Sequence, residues 1–276
     1  MSGSVFGGIT WSFKNALSFQ RFVAFAAVFS AVFCIFAGML DSFAAENSAE
    51  YASPYAELHE ELYVERSAIT EYANDDNCIY LTFDDGPSPY TEELLEVLDM
   101  HGIKATFFLS PEDTEYDFRM MKLIAEKGHT IGIHTASHVF YEIYADVESY
   151  LDDFALAYEL VYRATGQKCK FFRFPGGSVN SYNYRIKDQL VDEMSRRGFV
   201  FFDWNVDSRD AAGASLEQIR ANVFNQTPNV SPAFILMHDG IKNTTLILND
   251  IINALEADAR GYSFRVITEE VRPLQF

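Results

Sequence analysis

Positive charge is scarce in this chain. Lysine and arginine number 21 against 40 aspartates and glutamates, a formal balance of −19 over 276 residues. Nucleic acids and anionic lipids recruit basic patches, so a surface this acidic argues against either as the main partner. The imbalance is concentrated between Asp41 and Asp76, where ten acidic residues meet one basic residue, Arg66. Cysteine is sparse too, with three in all, and there is neither an internal repeat nor a low-complexity tract. What is plentiful is apolar: 49% hydrophobic and 15% aromatic residues exclude a disordered chain, and the length suffices for one large domain with appendages.

The first 45 residues differ in kind from the rest. After Lys14 and Arg21 comes an uncharged run from Phe22 to Leu40, at the lower edge of what spans a bilayer. Positive charge before it and negative charge after it predict the N-terminus inside and the remainder outside the cytoplasm. Ser42 and Ala44 also offer a small-x-small site for cleavage near Ala45, so the segment reads as either a transmembrane anchor or a signal peptide. The remainder is then expected at the outer face of the cell membrane, or secreted. Cys34 lies inside the apolar run, leaving Cys78 and Cys169 as the exported pair. Each precedes an expected strand, and export permits a disulfide between them. The organisation expected is 1–45 anchor or signal, 46–76 acidic spacer and 77–276 globular domain.

From Cys78 onward short apolar runs, "CIYLTF", "KATFFL", "HTIGIH", "KFFRF", "FVFFDW", "AFILMH" and "SFRVIT", alternate with stretches whose apolar residues recur every three or four positions. About seven such alternations predict an α/β fold, a parallel sheet closed or nearly closed into a barrel. In such folds functional groups gather at the C-terminal ends of strands. The reactive residues obey that rule. Asp84 and Asp85 follow the first run, His134 and His138 the third, and Arg173 sits in the fourth. Asp207 and Asp210 follow the fifth, and His238 with Asp239 closes the sixth.

Two adjacent carboxylates at a strand end repel each other, and on a regular strand they would face opposite ways. A turn beginning at Asp-Gly-Pro could aim both into one pocket. The histidines of "HTASH" are too far apart along an extended strand to share a metal, so the chain must turn there as well. One carboxylate and two imidazoles form a three-ligand set with open coordination positions, suited to zinc and also to cobalt, manganese, nickel or iron. The second carboxylate is then placed as a base, and His238 as an acid.

"TFDDGP", "HTASH", "RFPGG", "DSRD" and "LMHD" in this order resemble the five motifs of the polysaccharide deacetylases, the NodB-homology domain of family four carbohydrate esterases, over roughly residues 78–270. The resemblance implies a distorted (β/α) barrel of about seven parallel strands and metal-dependent removal of acetyl groups from a polysaccharide. It assigns Asp84 as general base, and Asp85, His134 and His138 as metal ligands. Arg173 would hold Asp84, and the backbone N–H of Gly176 would meet the oxyanion. His238 would be the acid, oriented by Asp210 or by Asp207, and Leu236 would line the acetyl pocket. Where many relatives carry aromatic residues, this chain has Gly176 and Ala211, which removes apolar walls from the groove; Trp204 or Tyr182 could supply part of them. His129 is expected at the opposite end of the barrel. Peptidoglycan N-acetylglucosamine is the expected substrate, chitooligosaccharide or O-acetyl xylan the alternative, and a glycan-binding or scaffolding pseudoenzyme the alternative of another class.

Overall fold

The computed structural model describes residues 53–276, of which Glu57–Phe276 form one compact unit. The apolar run 22–40, the cleavage site and Cys34 lie outside the described residues. Among the described residues no helix is long and apolar enough to cross a membrane.

Eight parallel strands build one curled sheet. Seven follow the order β5-β4-β3-β2-β1-β7-β6, and the eighth pairs with β1 off that path. They are β1 (Cys78–Gly86), β2 (Thr106–Leu109), β3 (Thr130–Ile133), β4 (Phe171–Phe172), β5 (Val200–Phe201), β6 (Val206–Asp207), β7 (Ala233–His238) and β8 (Ser263–Arg265). The central strand β1 is buried almost throughout, as its unbroken apolar run requires. β2 pairs with its C-terminal half and β8 with its N-terminal half. β5 and β6 are the two ends of the path, so the sheet is an open half-barrel rather than a closed ring. Seven apolar runs were expected to be strands and all seven are. The eighth strand, the two-residue β6, is too short to show a period.

Helices cover the sheet: α1 (Thr91–Met100), α2 (Glu115–Glu126), α3 (Phe140–Ile143), α4 (Val147–Thr165), α5 (Lys187–Arg196), α6 (Leu216–Gln226) and α7 (Lys242–Glu256). Their starts are chemically marked. Thr114 and Asp146 accept backbone N–H groups at the N-termini of α2 and α4, and Ser215 with Gln218 forms a reciprocal capping box on α6. The four-residue α3 is too short for a periodic signal, and it carries a residue that matters below.

Part of the stretch read as spacer lies on the domain. Leu62 and Val64 are buried, the Arg197 guanidinium donates to the carbonyls of Leu58 and His59, and the Val64 N–H donates to the Arg197 carbonyl. Cys78 and Cys169 are both buried free thiols, so the expected disulfide is not formed. Cys78 is occupied at the junction of β1 and β8, with its sulfur 3.4 Å from Ser263 Oγ. Burial pushes the Cys169 thiol up to about 12, which keeps it protonated and inert. His129, at the start of β3 and so at the opposite end from the strand C-termini, accepts the Ala105 N–H on Nδ1.

Candidate active site

β1 continues through the aspartate pair instead of ending before it. Its register with β2 runs Asp84 to Phe108 and then Gly86 to Leu109, skipping Asp85. Asp85 is an extra residue with φ of 69°, so the strand bulges and both carboxylates turn toward the same end of the sheet. The expectation of a simple turn is thereby corrected: an inserted residue, not termination, breaks the alternation. Gly86 is required by what lies beside it. A Cβ there would sit 2.4 Å from Asp239 Oδ2. Asp239 is buried, accepts hydrogen bonds from Ser88 and Thr91, and sends its N–H to the Asp84 carbonyl.

Asp84 is almost sealed from solvent, with its Oδ1 2.8 Å from Arg173 Nη1. The fully buried Arg173 also donates to Thr82 Oγ1 and to the carbonyls of Phe202 and Asp203, and it lies over the Phe108 ring at 4.3 Å. Burial raises the Asp84 carboxyl above the usual carboxylate range, while the Arg173 charge opposes the rise. The result is a more basic carboxylate than an exposed one, held in one orientation.

β3 ends at Ile133, and left-handed backbone at Thr135 and His138 folds the next residues back, bringing the His134 and His138 rings within 5.2 Å. Such φ values are uncommon away from glycine and cluster at functional sites. Asp153 holds this turn by accepting the Ala136 and Ser137 N–H groups. Asp85 Oδ1 lies 3.6 Å from His134 Nε2 and 3.4 Å from His138 Nε2.

The protonation of His134 decides what this cluster means. Burial pushes the ring down to about 3, so it is neutral. Its Nδ1 is 2.8 Å from the Arg173 carbonyl, which can only accept, so Nδ1 carries the proton and Nε2 a lone pair. That lone pair faces Asp85 Oδ1, a buried oxygen with no hydrogen-bond partner, and also Asp84 Oδ2 at 3.6 Å. Acceptors facing acceptors repel unless a cation lies between them. Two imidazole nitrogens and one carboxylate oxygen within 4.8 Å of one another fit a divalent metal.

On the far side, His238 ends β7 with its Nδ1 on Asp210 Oδ1. This settles which carboxylate partners it: Asp207 instead accepts the Arg209 N–H. Leu236, two residues before His238 on the same face of β7, is buried. The Gly176 N–H makes no hydrogen bond within the described residues, while the carbonyl of the same peptide unit, on Pro175, accepts from Tyr144 Oη at 2.8 Å and Asn180 Nδ2 at 3.2 Å. Trp204 packs against Arg173 and beneath Gly177 rather than forming a wall, whereas Tyr182 is exposed at the site's rim. Sequence reasoning passed over Thr82, Tyr144, Asn180 and Thr244. Only Thr82 had a signal, a polar residue on the Asp84 face of an otherwise apolar run.

A buried carboxylate, a cluster of one carboxylate and two imidazoles, and a carboxylate-held imidazole at the C-terminal edge of a parallel sheet are groups with which a hydrolase could activate water. Comparison with known proteins narrows the class. The family profile described as polysaccharide deacetylase matches residues 71–200. A peptidoglycan-N-acetylglucosamine deacetylase of Bacillus cereus is 32% identical over 197 residues, 69% of this chain and 69% of that protein. The crystal structure of the catalytic domain of peptidoglycan N-acetylglucosamine deacetylase from Eubacterium rectale superposes with a TM-score of 0.71 at 35% identity, covering 76% of this chain and 97% of that one. A polysaccharide deacetylase of Bacillus cereus superposes with a TM-score of 0.64 at 32% identity, covering 72% and 96%. The chain belongs to the polysaccharide deacetylase family and is a hydrolase.

Proposed function

We propose that the protein removes the acetyl group from N-acetylglucosamine in peptidoglycan, at the outer face of the cell membrane, with a divalent metal. The observation that carries the metal is the partnerless Asp85 Oδ1 facing the His134 lone pair. Asp85, His134 and His138 would hold the ion, with zinc the favoured one given two nitrogens and one oxygen. When bound it supplies a Lewis acid that polarises the acetyl carbonyl and acidifies water.

The chain's own groups account for the rest. Asp84, fixed by Arg173, takes a proton from the attacking water. The free Gly176 N–H donates to the oxygen on which negative charge develops. His238 carries a proton for the departing nitrogen, and Leu236 offers an apolar surface to the acetyl methyl. An amine leaves poorly unless protonated. The imidazole held cationic by Asp210 therefore suits an amide better than an ester, and this favours N-acetyl over O-acetyl glycans. The choice of peptidoglycan is supported by the named activity of the relatives and by the uncharged run 22–40, which would export and tether the domain beside the wall.

The test is acetate release by the full chain, loaded with zinc, from peptidoglycan, chitin oligomers and acetylated xylan. Release from peptidoglycan above the other two supports the reading; release from xylan alone, or from none, overturns it.

A further inference from the structure

Phe140 belongs to none of the five motifs, yet its ring extends the site along the surface. Its ring stands edge-on to His138 at 5.1 Å and lies 5.1 Å from the ring of Tyr182. With His134 and His138 5.2 Å apart, four rings form an unbroken file from a buried side chain to one that is 53% exposed.

The outer end of the file is built rather than incidental. The Tyr182 hydroxyl makes no hydrogen bond within the described residues, so nothing in the fold requires a tyrosine there. Its loop is nevertheless braced: Asn180 Oδ1 accepts the N–H groups of Tyr182 and Asn183, and Asn180 Nδ2 donates to the Pro175 and Gly177 carbonyls. Asn183 Nδ2 donates to the Gly177 and Ser178 carbonyls. A braced, half-exposed aromatic ring beside a reactive centre offers an apolar face to whatever enters while its hydroxyl stays in water. Gly176, on the same loop, has φ of 74°, and a Cβ there would lie 2.7 Å from Phe140 Cε1. Phe140 thus fills the space into which a side chain at 176 would project.

The geometry points to Phe140 and Tyr182 as a stacking wall for one sugar ring of the glycan chain, next to the sugar whose acetyl group enters the site; this rests on the deacetylase reading above. A pyranose presents a face of C–H bonds that complements the negative face of an aromatic ring, while its hydroxyls stay in water. The wall is continuous with the metal cluster through His138, so its occupant is the same chain that is deacetylated. It compensates for the side chain that Gly176 lacks, with rings borne on α3 and on the loop after β4. It gives the enzyme a preference for a chain over a single sugar.

The experiment compares the zinc-loaded full chain with Tyr182→Ala and Tyr182→Phe, using an N-acetylglucosamine tetramer and a small aryl acetate that reaches only the acetyl site. Expected is a KM for the tetramer raised about tenfold in Tyr182→Ala, the size of one lost aromatic contact. The tetramer kcat and the aryl acetate rate are expected to hold, and Tyr182→Phe to behave as the parent. An unchanged tetramer KM, or an equal loss on both substrates, overturns the wall. Calorimetric binding of the tetramer separates the two readings. Tetramer binding that needs Tyr182 without acetate release sinks the deacetylase chemistry and keeps the wall. Acetate release indifferent to Tyr182 sinks the wall and keeps the chemistry.

Discussion

His238 gives both its ring Nδ1 and its backbone N–H to the carboxylate of Asp210, at 2.8 and 2.7 Å. Asp210 is fixed in turn by the Thr244 hydroxyl and the Ala211 N–H. With Nδ1 so committed, Nε2 is the position free to exchange a proton with substrate. Burial alone would depress the imidazolium, but the Asp210 hydrogen bond and the charges of Asp84, Asp210 and Asp85 outweigh it and lift the group to about 9.

The sign of the pH dependence follows. A histidine raised in the folded state contributes stability fully present below its unfolded value and lost as pH rises through about 9. Deacetylation should fall on the alkaline side as His238 loses its proton. Asp210→Asn should move that limb toward neutrality and cut kcat/KM at pH 7 by roughly 100-fold. A pH–rate profile of parent and variant checks this; a limb that stays in place would remove His238 from the acid role.

Asp85 and Asp84 are adjacent but should fail differently. Asp85→Ala should lose metal, measured by elemental analysis after dialysis, and with it activity. Asp84→Asn should keep the metal and lose roughly 100-fold or more in kcat. Stripping the ion from the parent with a chelator should lower its Tm, because bound metal stabilises only the folded chain. Equal metal loss in both variants would contradict the separation.

Arg173→Lys should be far from conservative. One ammonium cannot reach Thr82, Asp84 and two carbonyls together, and Asp84 would be left buried with a poorer partner. A loss of about 3 kcal/mol is expected in urea unfolding, with kcat reduced under conditions where the variant stays folded.

Tyr144→Phe removes one hydroxyl and leaves the ring stacked on Tyr150. The Pro175–Gly176 peptide then loses one of the two donors that fix its carbonyl, and with it the aim of the Gly176 N–H. A several-fold fall in kcat with KM unchanged is expected, as for an interaction felt only in the transition state; an altered KM alone would assign Tyr144 to binding instead.

The order of the strands' reactive ends was legible because β1, β3 and β7 are long apolar runs whose C-termini carry unlike residues. The bulge at Asp85 was not, since an extra residue in one strand shows only against its partner, here β2. Asp210 could be separated from Asp207 only by the path of the short β6 and the turn after it. Cys78 and Cys169 looked like partners because both precede strands, but position at one end of a sheet does not bring two sulfurs together. Phe140 was invisible for a different reason. Its helix is four residues long, and its importance comes from a glycine 36 positions away that has no side chain to reveal the contact.

Arg173 spans the concave side of the half-barrel, tying β1 at Thr82 and Asp84 to the backbone just beyond β5, where the path of paired strands stops. Curvature of the sheet and basicity of Asp84 are consequently both set through one side chain. Mutational drift cannot retune the base without also loosening the scaffold, so variation in this enzyme is channelled toward the rim, where the Tyr182 side chain can change what is held without touching the acetyl chemistry.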